Sequence, residues 1–185
     1  PDKILRLAML FHDFGKPDCA SADESGMDHF HGHGAVSSKM AEEILKRLRY
    51  DNDTIDRVRE LVYWHDMEIL PEKRAVRRAA SKVGKELFPL LLEVKQADLA
   101  AQSDYQRPQK EEWLRSLHDI YEQIQEEGDC LSLKDLAVTG RDLIAAGMKP
   151  GPQLGQTLQN LLQLVLEDPS RNSKEYLLSN LPKET

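Results

Sequence analysis

The sequence predicts an all-α protein, and three observations carry that expectation. Apolar residues recur at three- and four-residue spacing along most of the chain, and alternating strand patterns are nearly missing. The breaks between periodic stretches carry loop and turn chemistry, as in the Ser-, Asp- and Gly-rich segment Asp18 to Gly34 and the rigid turn Gly147-Met148-Lys149-Pro150-Gly151-Pro152.

The elements follow in order. A first helix is expected over residues 3–13, an apolar run from Ile4 to Phe11 that closes in His12-Asp13 and meets Phe14-Gly15-Lys16-Pro17. After the loop, a helix over 35–49 carries the stripe Val36, Met40, Ile44, and one over 53–66 carries Ile55, Val58, Val62, His65 with Ile69 beyond it. A helix over 72–86 has Ala75, Val76, Ala79, Ala80 and Val83 on one face; the next, over 88–103, continues the stripe Leu87, Leu91, Val94, Asp98, Ala101. The helix over 110–126 carries Trp113, Leu117, Tyr121 and Ile124. Gly128-Asp129 then marks a boundary between a helical bundle, 1–127, and a small helical tail, 128–185, with helices over 140–146, 153–167 and 173–179. A chain of 185 residues with 40% hydrophobic content buries one core and a small appendix, which argues against two full domains.

Composition excludes several classes. A net charge of -7 argues against indiscriminate attraction to nucleic acid, so any RNA contact must come from a local basic patch. Cys19 and Cys130 are too few for a disulfide framework and fit a reducing cytoplasm. No stretch has the roughly 20 apolar residues of a membrane span, and Pro1-Asp2-Lys3 opens no secretory signal, so a soluble cytoplasmic protein with no membrane partner is expected. The chain starts without methionine and almost at once inside a helix, which reads as a fragment of a longer parent or a processed start at Pro1.

The chemistry lies in polar residues that interrupt apolar stripes. His12 and Asp13 close a buried hydrophobic helix, where an imidazole and a carboxylate are costly to desolvate without a partner. Successive residues diverge by about 100° on a helix, so both reach one ion only if the helix end sits over it. His65, Asp98 and His33 each stand on the apolar side of a different helix. One of these alone reads as a satisfied core polar group. Five nitrogen and oxygen donors on the inner faces of four helices are expected to converge on one interior site. Mixed imidazole and carboxylate ligation suits a divalent metal: Mn, Fe, Ni, Zn or, with water completing the shell, Mg.

These residues carry a resemblance. His12-Asp13 followed by Gly15-Lys16, then Gly32-His33, His65 and Ala97-Asp98, resembles the HD superfamily of metal-dependent phosphohydrolases. More narrowly, Leu7 to Pro17, then Phe30-His31-Gly32-His33 leading to Ser37, and the tail stretches Asp135 to Leu143 and Pro150 to Gly155 resemble the C-terminal half of bacterial CCA-adding tRNA nucleotidyltransferases and their poly(A) polymerase relatives. The resemblance covers almost the whole chain. It implies His12, Asp13, His33, His65 and Asp98 as metal ligands, with His12, Asp13 and Asp98 on one ion and His33 and His65 on a second or on the substrate phosphate. The reaction it implies is hydrolysis of a phosphoester in which the metal activates a water. Two departures stand beside it: the family's first histidine ligand lies upstream of the His-Asp pair, and this chain has no Gly-Gly nucleotidyltransferase head.

Around this core of ligands, Lys16 is placed either to meet a phosphate oxygen as a point charge or as a solvated loop lysine. Asp66 either orients His65 or begins the next turn. His29 and His31 read as solvated loop residues, and His118 as a packed structural one. Lys73, Arg74, Arg77, Arg78, Lys82 and Lys85 form a basic stripe with no acid among them, whose partner is a nucleic-acid backbone phosphate or acidic neighbours within the chain; Arg74, Arg77, Arg78 and Lys82 are the RNA- or phosphate-binding candidates. Two readings compete: a metal-dependent phosphohydrolase acting on a phosphoester of tRNA or a nucleotide, with Asp13 and Lys16 catalytic, or a non-catalytic tRNA-binding module. A third, weaker reading is a stand-alone nucleotide phosphatase; the tail stretches speak against it.

Overall fold

Helices form where the periodicity places them: α1 (Lys3–Phe11), α2 (His33–Arg47), α3 (Asn52–Trp64), α4 (Lys73–Val83), α5 (Phe88–Ala101), α6 (Arg107–Glu126), α7 (Gly140–Ala145), α8 (Pro152–Glu167) and α9 (Lys174–Ser179). The computed structural model describes residues 2–23, 26 and 28–182; Pro1, residues 24, 25 and 27 of the expected loop and residues 183–185 of the expected tail lie outside them. Side-chain caps set several starts. The Asp2 carboxylate accepts from Ile4 N and Leu5 N at 2.6 and 3.0 Å, and Asp51 accepts from Thr54 N at 2.8 Å, each satisfying donors that a first turn leaves open. A capping box joins Thr139 and Asp142 at α7.

The segment expected as one loop is partly ordered. It contains a 3-10 turn, Pro17–Cys19, and a small antiparallel pair, β1 (Ser21–Ala22) and β2 (Asp28–His29), with Ser21 opposite His29. Two-residue strands are too short to leave an alternating pattern for sequence to reveal. α2 begins at His33, two residues before its expected start, which brings that imidazole into the first turn. No described helix is long and apolar enough to cross a membrane.

The chain divides into two compact units. One comprises Pro1–Glu68 with Glu86–Ser116, and the other Ile69–Lys85 with Leu117–Thr185. The first holds α1, α2, α3, α5 and the start of α6 around buried Ala8, Phe11, Leu45, Leu61 and Val94. The second holds α4, the rest of α6 and α7 to α9 around Leu117, Ile124, Leu143, Leu161 and Leu177. α4 packs on α8 in that second unit, although in chain order it lies within 1–127.

Within the first unit, α2 turns a small-residue face inward. Gly34, Ser37, Ser38, Ala41 and Leu45 are buried beside His33, whereas the stripe Val36, Met40, Ile44 is only half-buried. The reason is the closeness of the helices. A Cβ on Gly34 would stand 3.0 Å from Tyr63 O and 3.6 Å from His65 Cε1, and one on Gly15 would stand 2.7 Å from His33 O and 2.8 Å from Ser37 N. Gly15 N also donates to buried Ser37 Oγ at 2.8 Å, and Ser38 Oγ donates to Arg59 O at 3.0 Å. Small residues therefore bring the turn after α1, the start of α2 and the end of α3 together.

Gly15→Ala forces backbone apart and is expected to lower stability by about 1–3 kcal/mol, the usual range for overpacking. Gly155→Ala, in α8, meets open space and is expected to raise stability by up to about 1 kcal/mol, the helix propensity gain. Urea unfolding of the two variants checks both signs.

Candidate metal centre

The three core histidines are oriented by one repeated device. Nδ1 of His12, His33 and His65 lies 2.8, 2.8 and 2.7 Å from the carbonyl oxygen three residues earlier, on Met9, Phe30 and Val62. A carbonyl can only accept, so each Nδ1 carries a hydrogen and donates. Each ring is thereby left with Nε2 as its free ligand atom, the arrangement that backbone carbonyls impose on metal-binding histidines.

Two of those Nε2 atoms meet. His33 Nε2 and His65 Nε2, both in buried side chains, are 3.0 Å apart. With both Nδ1 atoms protonated, two neutral rings would aim lone pairs at each other, so the contact requires a shared proton or a cation. Two nitrogen ligands about 2.1 Å from one ion and about 90° apart are themselves separated by roughly 3.0 Å. Asp13 Oδ1 lies 3.5 Å from His33 Nε2 and 3.8 Å from His65 Nε2, and one ligand atom from each of Asp13, His33 and His65 lies within 4.8 Å of the others. His12 and Asp98 adjoin this triad. His12 Nε2 is 3.3 Å from Asp13 Oδ2 and 3.5 Å from Asp98 Oδ1, and its ring stands edge-on to that of His65 at 5.2 Å between centroids.

His12 and Asp13 reach one place although they are adjacent, because α1 stops at Phe11. His12 is the C-cap, and the chain then leaves the helix in a turn. Lys16 closes the same turn, its Nζ 2.7 Å from Asp13 Oδ2. Asp66 is exposed next to His65. His29 pairs with Asp23 at 2.9 Å and stacks on His31 at 5.3 Å, away from the triad's ligand set. His118 lies half-buried on α6.

Sequence reasoning missed Lys95. Its Nζ donates to His65 O and Met67 O, both at 2.8 Å, and lies 5.7 Å from the Trp113 ring centre. Burial pushes this ammonium down to about 8. The available signal was a lysine directly after the mostly apolar stretch Leu90 to Val94, three residues before Asp98.

The charges around His12 are coupled. Its hydrogen bond with Asp98 outweighs partial burial and raises the imidazole above its ordinary 6.5, and the same bond holds Asp98 below 3.8. Burial lowers His65 below 6.5. In the metal-free protein the His12 interaction stabilises fully below pH 6.5 and is lost as pH rises through the folded value. The Asp98 interaction is present above pH 3.8 and lost as pH falls through its own folded value, while protonating His65 costs stability as pH falls below 6.5.

The basic residues of α4 lie in the second unit, among acids. Arg77 is buried, with Nη1 3.1 Å from Asp129, Nε donating to Leu166 O at 2.9 Å and Nη2 to Glu167 O at 3.3 Å, so it caps the C-terminus of α8. Arg74 is 3.3 Å from Glu167 and Arg78 pairs with the same carboxylate; Lys73 is 2.6 Å from Glu127 and Lys85 3.4 Å from Asp135. Arg78 and Lys82 also line a cleft of about 580 Å³ with Leu131, Ser132 and Gln163.

A helical domain that gathers imidazoles and carboxylates from several helices into one cluster is a candidate metalloprotein domain. The chain belongs to the tRNA nucleotidyltransferase domain 2 family, whose profile matches residues 32–181, a stretch that includes His33, His65 and Asp98. It is 34% identical over 164 residues to a CC-adding tRNA nucleotidyltransferase of Thermus thermophilus, covering 88% of this chain and 36% of that protein. It is 28% identical over 169 residues to an A-adding tRNA nucleotidyltransferase of Deinococcus radiodurans, covering 88% of this chain and 37% of that protein. Over 75 residues it is 36% identical to a CCA-adding enzyme of Pediococcus pentosaceus, covering 40% of this chain and 17% of that protein. The chain thus spans little more than a third of the first two relatives. No solved structure matches it.

In metal-free protein, NMR titration of the ring protons is expected to give His12 a midpoint above 6.5 and His65 one below it, with Asp98→Asn lowering the His12 midpoint. Arg77→Met strands the Asp129 carboxylate in the interior and is expected to cost about 3–5 kcal/mol in urea unfolding.

Proposed function

We propose that this chain is the HD-type helical region of a tRNA nucleotidyltransferase-related protein of the cytoplasm, and that its histidine and aspartate cluster holds a divalent metal and hydrolyses a phosphoester. The substrate class is a phosphomonoester or a 2′,3′-cyclic phosphodiester at the end of an RNA or nucleotide. The observation that carries this reading is the 3.0 Å approach of two Nε2 atoms whose partner nitrogens already donate to carbonyls. That donor set of three imidazoles and two carboxylates fits Mn, Fe, Ni, Zn or Mg.

His33, His65 and Asp13 would hold the ion, with His12 and Asp98 beside them. The metal, when bound, supplies a water of lowered pKa and positive charge opposite the phosphorus oxygens. Lys16, half-exposed beside Asp13, attracts a phosphate oxygen as a point charge. The Asp98 hydrogen bond raises the His12 imidazole above its ordinary value, so protons compete with a metal there and binding weakens as pH falls.

The similarity to tRNA nucleotidyltransferases suggests a second reading, in which the domain holds tRNA without chemistry of its own. The family match runs through both units, and exposed Arg74, Arg78 and Lys82 are its candidate phosphate contacts. Arg77, turned inward, serves stability in either case.

With Mn²⁺ or Ni²⁺, release of p-nitrophenol from bis(p-nitrophenyl) phosphate is expected, abolished by EDTA and reduced at least about 100-fold by Asp13→Ala, of the order seen when essential catalytic groups are removed. No metal-dependent turnover, together with tRNA binding that EDTA leaves intact and Arg78→Ala weakens, would establish the second reading instead.

A further inference from the structure

The backbone segments that carry His33 and His65 also wall a small cavity outside the metal cluster. It has a volume of about 270 Å³ and is lined by Gly32, Gly34, Ala35, Tyr63, Trp64, Asp66 and Met67. Every wall residue is a chain neighbour, within two positions, of one of those two histidines.

The lining has a distinct chemistry. Gly32, Gly34 and Ala35 offer a wall almost without side chains, and Tyr63 and Trp64, 4.5 Å apart edge-to-face, offer aromatic surfaces. Tyr63 is 45% exposed, unusual for a large ring beside a packed helix pair. Trp64 is held in place because its Nε1 donates to Glu60 at 3.1 Å. Asp66 is exposed at the wall and can only accept when ionised. The volume falls just below the roughly 300–1,000 Å³ of drug-sized pockets, so one planar ring system fits and little more.

We propose that this cavity is a nucleobase subsite, in which a base stacks on Tyr63 and Trp64 and an amino group on its edge donates to the Asp66 carboxylate. This rests on the phosphohydrolase reading, and it narrows that reading from phosphoesters in general to nucleotides whose base bears an amino group. Aromatic surfaces take bases of any sequence through their flat faces, and a carboxylate discriminates by the donors that a base edge presents. The chain then grips the part of the substrate that does not react, which raises discrimination among phosphoesters.

The test separates the two readings. In EDTA, adenosine, which has no phosphate, is titrated against the protein and tryptophan fluorescence is followed. Saturable quenching is expected, weakened about tenfold or more by Tyr63→Ala, since stacking of one base is worth about 1–3 kcal/mol and tenfold is 1.4 kcal/mol. Purine riboside, identical but for the amino group, is expected to bind more weakly than adenosine to the native protein and as well as adenosine to the Asp66→Ala variant, which has no acceptor there. With Mn²⁺, the ratio of kcat/KM for adenosine 2′,3′-cyclic phosphate to that for bis(p-nitrophenyl) phosphate is expected to fall about tenfold in Tyr63→Ala. Absence of saturable quenching, or quenching that neither substitution alters, overturns the base subsite. Adenosine binding without any metal-dependent turnover leaves the subsite standing and overturns the phosphohydrolase.

Discussion

Everything at the candidate metal centre depends on two imidazole nitrogens being held 3.0 Å apart inside the protein. Left to themselves, the rings would rotate so that one donated to the other. They cannot, because each Nδ1 is already committed to the carbonyl three residues back. The hydrogen-bonded backbone thus stores an unsatisfied electrostatic demand, which a proton or a metal meets. This is the inverse of ordinary core design, where buried polar groups satisfy each other.

That contact is a consequence of helix spacing. His33 stands in the first turn of α2 and His65 just past the end of α3. Their approach requires the helices to lie closer than ordinary side chains permit. Gly34 opens that space between α2 and α3, and Gly15 lets the turn bearing Asp13 settle against α2. Lys95 then ties down the carbonyl of His65 from α5. A histidine at a chain end or in a turn would ordinarily be loose; here the glycines, Ser37 and Lys95 restrict it.

The second unit illustrates how differently the same residue type behaves in another setting. On sequence alone, six cations along one helix are a nucleic-acid surface or a solvated face. Arg77 belongs to neither description, because its guanidinium lies inside, satisfying Asp129 and the last carbonyls of α8. Arg74 and Arg78, both exposed, converge instead on one half-buried carboxylate, Glu167, and such surface pairs contribute little to stability. Spacing along α4 could not separate the inward arginine from its neighbours, since the acceptors it meets are the Asp129 carboxylate and the last carbonyls of α8, more than fifty residues away.

By itself the sequence determined the helical class, the helices themselves to within a few residues, and the identity of five polar residues that interrupt apolar stripes. Those are properties of local periodicity and of the cost of burying charge, both of which one chain segment expresses alone. The inward face of α2 was not legible, because glycine, serine and alanine carry no apolar signal and their value lies in what they allow a neighbour to do. Nor were Lys95, the two-residue hairpin or the partners of Arg77. Only the tertiary structure could decide that His33 Nε2, His65 Nε2 and an Asp13 oxygen, on three segments, share one point, because that depends on distances between residues remote in the chain, which no spacing along it records.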